Sequence, residues 1–200
     1  MTRVTKRARS NRREELLLTA ARLFKTYGYH GTSMQQLADA IGLGKGSLYH
    51  HMVSKEELVH EIMTSGVADA ISKADAILAD EGLSPVEKLR TAIRVLIRDV
   101  CEDFDASLGL VVMSDGHILS PDLRAEYVAL RDEYEDRFES IIKLGIESGD
   151  FEPCDTGLAT KSVLGMCAWV VFWFRPGGRL TPEEIAREVA RVCLKGLSAN

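Results

Sequence analysis

The sequence predicts an all-α chain: an N-terminal three-helix unit carrying a helix-turn-helix, followed by a larger helical body. Three observations predict it. Apolar residues recur at helical spacing along most of the chain, and no β-type alternation or Asn-Gly hairpin signal competes. Ser84-Pro85, Ser120-Pro121 and Thr181-Pro182 repeat one helix-start device, a hydroxyl N-cap with proline at the first helical position. Residues 28–58, GYHGTSMQQLADAIGLGKGSLYHHMVSKEEL, read as a glycine stop, a short helix, a glycine-bearing turn, a second short helix and a capped third helix. In such a pattern the second short helix is the one that enters a DNA major groove.

Charge divides the chain in the same place. Residues 1–60 hold ten Lys/Arg against five Asp/Glu, and residues 61–200 hold fifteen against twenty-five, for a net charge of −5. A basic head on an acidic body suits a protein that meets a polyanion with one end. Arg3, Lys6, Arg7, Arg9, Arg12 and Arg13 precede the first acid. Residues 1–11 therefore read as a basic arm, able to track phosphates or to serve only as a solubilising tail.

The first helix is expected from near Asn11 or Arg12, with Leu16, Ala20, Leu23, Phe24 and Tyr27 on one face and Gly28 at its end. Thr32 or Ser33 caps the next helix, which packs Met34, Leu37, Ala38 and Ile41. Gly42-Leu43-Gly44 permits a tight reversal before a short helix over about 45–51. Ser54-Lys55-Glu56-Glu57 reads as a capping box that opens the following helix. Residues 12–58 are thus the DNA-reading unit and 59–200 the body. In the body, helical stretches are expected at 66–80, 85–104, 121–148, 156–174 and 182–197. Leu123, Tyr127, Leu130, Tyr134, Phe138 and Ile141 stripe the longest of them.

Residues 163–174, VLGMCAWVVFWF, are apolar all round. A helix with no polar face must be covered on every side, by its own core or by core on one side and a partner subunit on the other. The second arrangement is favoured, with the helix at 121–148 as its companion in a four-helix interface. No run of about 18 uncharged apolar residues exists, so no membrane span is expected. No apolar run follows the basic N-terminus before Leu16, and four scattered cysteines without a C-x-x-C pair suit reduced thiols, so a cytoplasmic location is expected.

These residues also carry a resemblance. Phe24, Gly28, Tyr29, Thr32 and Ser33, then Leu37, Ala38, Gly42 and Leu43, then Lys45, Gly46, Leu48, Tyr49 and His51, then Ser54, Lys55, Glu56 and Leu58 resemble the pattern of the TetR family of one-component bacterial regulators. Met52 replaces the usual Phe. The resemblance implies a homodimer in which three N-terminal helices read a double-stranded DNA operator. A larger helical domain would bind a small ligand and dimerise through its last two long helices, with repression as the usual habit. Trp173-Phe174-Arg175-Pro176-Gly177-Gly178, with Thr181 to Ile185, looks like the subgroup that senses CoA thioesters. It implies a hydrophobic effector such as an acyl-CoA.

The residue types then give candidate contacts. At the start of the recognition helix, Lys45 can reach a guanine edge or a phosphate, Gly46 lets the backbone approach, and Ser47 and His50 offer short polar groups. The resemblance implies that Tyr49 holds a phosphate. Thr32, Ser33 and Lys55 stand at helix N-termini, where free N–H groups and a positive partial charge favour anions, although capping alone is the simpler role. In the body, Phe104, Leu108, Val111, Trp169, Phe172 and Trp173 are candidates to line an apolar pocket or simply to be core. Arg175 can pair with an acidic group of a ligand or satisfy its own helix C-terminus.

No G-x-S-x-G, H-E-x-x-H, phosphate-binding loop or dinucleotide-binding glycine pattern is present, and no cofactor is expected. The chain therefore does not read as an enzyme. A metal- or redox-sensing regulator using its histidines or cysteines, and a ligand-independent DNA-binding protein, remain the alternatives.

Overall fold

The computed structural model describes residues 2–42, 54–102 and 118–198. Seven helices account for most of them: α1 (Thr2–Gly31), α2 (Met34–Ala40), α3 (Lys55–Ala79), α4 (Pro85–Glu102), α5 (Pro121–Ser148), α6 (Thr156–Trp173) and α7 (Pro182–Leu197). Among the described residues, extended pairing is confined to one antiparallel bridge between Phe151 and Ser198. The all-α expectation holds.

Helix α1 begins at Thr2, nine residues before the expected Asn11. No proline or glycine interrupts residues 2–27, and Arg and Lys are good helix formers, so the basic arm continues the helix. Gly28, at φ 74°, breaks the axis as a residue with no Cβ can. Leu16, Ala20, Ala21 and Phe24 face inward, whereas Tyr27 is exposed and does not belong to the apolar face. Ser33 opens α2 with a full capping box. Its hydroxyl accepts from the Gln36 N–H at 3.2 Å, and its own N–H donates to Gln36 Oε1 at 2.7 Å. Ser54 caps α3 from one side only, accepting from the Glu57 N–H at 3.0 Å. Helix α3 runs unbroken through the expected gap before residue 66.

Pro85, Pro121 and Pro182 are each the first residue of a helix. Ser84 with Glu87 and Thr181 with Glu184 close capping boxes. Ser120 makes no side-chain cap; its N–H donates instead to Glu56 Oε1 at 2.6 Å, pinning the start of α5 to the start of α3.

Two hydrophobic clusters result. The larger fills the body, with Leu89, Ile93 and Ile97 of α4, Phe138, Ile141 and Ile142 of α5, Val163, Cys167 and Val170 of α6, and Ile185, Ala190 and Leu194 of α7. The smaller fills the head, with Leu16, Ala20 and Phe24 of α1, Leu37 and Ala38 of α2, and Leu58, Val59, Ile62 and Met63 of α3. Ile118 and Tyr127 of the body complete it. Lys88 is buried at the end of α3, where its ammonium donates to the carbonyls of Ile77, Leu78 and Asp80. A cation there satisfies carbonyls that the helix leaves open.

Candidate functional site

At the head, the described residues show what holds the helix-turn-helix to the body. Thr32 is 1% exposed. Its hydroxyl lies 2.8 Å from the Gly28 carbonyl and 3.2 Å from the Leu23 carbonyl, so this side chain closes the α1–α2 turn and does not face outward. Ser33 is exposed beside the free N–H groups of α2, but its hydroxyl is engaged in the cap. Lys55 turns back into the head. Its Nζ donates to the carbonyls of Tyr29 at 2.7 Å and Thr32 at 2.8 Å, and burial lowers its pKa. Of the DNA-contact candidates, Thr32 and Lys55 are therefore internal ties, for the physical reason that helix ends offer carbonyls as well as N–H groups. Lys45, Gly46, Ser47, Tyr49 and His50 lie outside the described residues.

In the body, a cavity of about 520 Å³ opens between four helices. Gly66, Val67 and Ala70 of α3 form one wall, and Leu96, Asp99 and Val100 of α4 another. Tyr127, Arg131, Tyr134 and Glu135 of α5 face Lys161, Leu164, Gly165 and Ala168 of α6. The space exists because α3 and α6 turn small residues toward each other: Gly66 with Ala70, and Gly165 with Ala168. A Cβ built on Gly165 would meet nothing within 4 Å. A volume of this order is usual for small-molecule sites, which run about 300–1,000 Å³.

Charge is arranged at two places. On the solvent side, Glu135 Oε1 receives Arg131 at 3.2 Å and Glu135 Oε2 receives Lys161 at 2.6 Å. Burial alone would raise the Glu135 pKa, but these two cations outweigh it and hold the carboxyl below its ordinary value. The group as a whole keeps one surplus positive charge. At the second place, Asp99 Oδ2 accepts from Lys73 at 2.7 Å, and Lys73 also pairs with Asp69 at 2.7 Å. Burial would lower the Lys73 pKa, yet the two carboxylates win and raise it. Burial pushes the Tyr134 phenol well up, and the neighbouring Cys167 and Asp99 add to the shift.

Sequence reasoning missed most of this lining. Asp99, Arg131, Glu135 and Lys161 look like solvated helix charges, and small residues attract no attention. The available signal was the pairing of Gly66 with Ala70 and Gly165 with Ala168 inside helices, where glycine costs roughly 1 kcal/mol against alanine and needs a reason. The large aromatic candidates stand outside this lining. Trp169, Phe172 and Trp173 are 62%, 46% and 44% exposed and are not among the residues that line the cavity. Arg175 donates to its own helix end, to the Phe174 carbonyl at 2.9 Å. Phe104, Leu108 and Val111 lie outside the described residues. With Leu158 and Met166, the three aromatics make an exposed apolar strip along α6. That helix is long and apolar enough to cross a membrane, though one such helix is weak grounds for a span. Among the described residues, no three His, Cys, Asp or Glu side chains cluster as a metal site would require.

This layout, a small helical head sharing core with a hollow helical body, has close counterparts. The transcriptional repressor KstR2 of Rhodococcus jostii (strain RHA1) is 34% identical over 96% of this chain and 93% of its own length. The solved structure of the TetR family regulator PfmR from Thermus thermophilus superposes with a TM-score of 0.81 at 36% identity, covering 92% of this chain and 99% of that one. The regulator AibR, solved in complex with isovaleryl coenzyme A and operator DNA, superposes at 0.79 and 33% identity over 90% of this chain and 97% of that one. Residues 82–197 match the family described as tetracyclin repressor-like, C-terminal domain, and residues 16–62 match the N-terminal family described as bacterial regulatory proteins, tetR family. Head, body and full-length relatives agree: the chain belongs to the tetR family of bacterial transcriptional regulators.

Proposed function

We propose that this ligand-responsive repressor of the tetR type is released from operator DNA when an acyl-coenzyme A thioester enters the cavity between α3, α4, α5 and α6. The observation that carries the reading is the cavity itself. Its walls are mainly apolar, and Arg131 and Lys161 stand on its solvent side sharing one carboxylate. An acyl chain suits the interior, and the phosphates of coenzyme A suit the surplus cation outside. The complex of AibR with isovaleryl coenzyme A supports the choice of ligand class.

Release follows from the layout. Gly66, Val67 and Ala70 belong to α3, whose other end is tied to the head through Lys55. A ligand that pushes on this wall tilts α3 and changes the separation of two recognition helices in a homodimer. Two half-sites tolerate only matched spacing. Near-complete release requires the ligand to favour the released state by roughly 5 kcal/mol. The partner copy would cover the apolar strip of Leu158, Met166, Trp169, Phe172 and Trp173.

The test is a thermal-shift screen of acyl-CoA thioesters of graded chain length against coenzyme A alone. Gel shifts on the DNA upstream of the protein's own gene follow with the best binder. Acyl-CoA should raise the melting temperature and release the DNA, and coenzyme A alone should do neither. A regulator released equally by coenzyme A alone, or by none of the series, refutes the acyl reading.

A further inference from the structure

The cavity wall carries polar groups that a plain hydrocarbon chain leaves unused. Asp99 and Tyr134 line both the main cavity and a small adjoining cleft, which Lys73, Ala74, Ile77, Val95 and Phe138 also line. The Asp99 carboxylate is held in place: Oδ2 takes the Lys73 ammonium at 2.7 Å, and only 12% of the side chain is exposed. Its other oxygen, Oδ1, accepts no hydrogen bond among the described residues; Arg98 Nε is 3.8 Å from it. The Tyr134 ring is fixed edge-on against Phe138, with centroids 5.3 Å apart, and its hydroxyl has no hydrogen-bond partner among the described residues. One carboxylate oxygen and one phenol, each without a hydrogen bond among the described residues, thus belong to residues that line the same cavity.

We infer that the effector carries a hydroxyl group on its apolar part, accepting from Tyr134 and donating to Asp99 Oδ1 in the cavity wall. A hydroxyl is the small group that satisfies both at once, being donor and acceptor. A ketone can take only the phenol's proton and leaves the carboxylate oxygen unmet. A plain alkyl chain desolvates both groups and replaces neither hydrogen bond, which is the situation that polar sites reject most strongly. The inference rests on the reading of this cavity as the effector site and narrows its ligand from acyl compounds to hydroxyacyl compounds.

The experiment compares octanoate with its 3-, 5- and 8-hydroxy derivatives, each as free acid and as CoA thioester. Binding is measured by calorimetry to wild type, Tyr134→Phe and Tyr127→Phe. At least one hydroxylated member should bind about tenfold tighter than octanoate in the same series. Tyr134→Phe should reduce that preference from both sides: the hydroxylated ligand loses its donor, and octanoate binds more tightly because one polar group fewer is desolvated. Tyr127→Phe, which changes another phenol of the same wall, should keep the preference. Preference among the free acids with no binding of any thioester upholds the hydroxyl site and overturns the coenzyme A reading. Equal affinity for octanoate and every hydroxylated member, in wild type and Tyr134→Phe alike, overturns this inference alone. Failure of all eight compounds to bind overturns both.

Discussion

The Lys55 ammonium sits 4.1 Å from the centre of the Tyr29 ring while donating to Tyr29's own carbonyl at 2.7 Å. With its bond to the Thr32 carbonyl, this makes one side chain at the start of α3 a strap across the α1–α2 turn. Cation–π attraction and charge-assisted hydrogen bonds act together there.

Lys55→Met should therefore weaken operator binding about tenfold by loosening the head, while the dependence of affinity on salt keeps its slope. Removing a cation that neutralises one phosphate lowers that slope by about 0.9, so a salt titration separates a strap from a DNA-binding side chain. A slope reduced by that amount assigns Lys55 to a phosphate instead.

Gly145 lies against Phe151, and a Cβ there would stand 2.1 Å from the ring. Gly145→Ala gains helix propensity but overpacks a fully buried ring, and the second effect wins. A net loss of about 1–3 kcal/mol is expected in denaturant unfolding. Phe151→Leu in the same chain should recover part of it. Gly165→Ala is the control: its Cβ meets open space, and it should stabilise by up to roughly 1 kcal/mol. Equal effects at the two positions would contradict the packing described.

Two capping carboxylates set a response to acid. Glu87 accepts from the Ser84 N–H and hydroxyl, and Glu184 from the Thr181 N–H and hydroxyl, and these bonds hold both carboxyls below their ordinary value of 4.5. A depressed folded-state pKa gives stabilisation that is present above the unfolded value and lost as pH falls through the folded one. The melting temperature should be flat from about pH 7 to 5 and fall below about 4.5, with a shallower fall in a Glu87→Gln/Glu184→Gln double variant. An acid limb of the same steepness in that variant would deny the boxes this role.

Trp169 is the most exposed aromatic on the apolar strip of α6. Trp169→Glu puts a charge at the centre of the face that a second copy is expected to cover. Light scattering should find monomers at concentrations where wild type is dimeric, and operator binding should fall with it. A variant that stays dimeric moves the interface elsewhere.

Helix boundaries were the most legible feature, because they are written in local chemistry. Pro85, Pro121 and Pro182 follow hydroxyl residues and begin helices as expected, and Gly28 and Gly42 adopt the positive φ that their turns require. The α1 start was misplaced because charge was taken as a sign of a tail, when nothing in residues 2–10 opposes a helix. The cavity was less legible. Trp169 and Trp173 drew attention by size, but hollow space is made by what is missing, at Gly66, Ala70, Gly165 and Ala168. The ties made by Lys55 and Thr32 were not legible, because sequence places a residue at a helix end without saying which way its side chain turns.

Ile118 and Tyr127 come from the body yet complete the hydrophobic cluster of the head. Residues 12–58 are consequently half of a jigsaw. Grafting them onto another regulator's sensor would transplant a DNA reader while leaving behind its floor. A chimera that respects this would need to extend the graft through Met63 and carry the segment 118–127 with it, and operator choice in such hybrids would then travel with two pieces of chain instead of one.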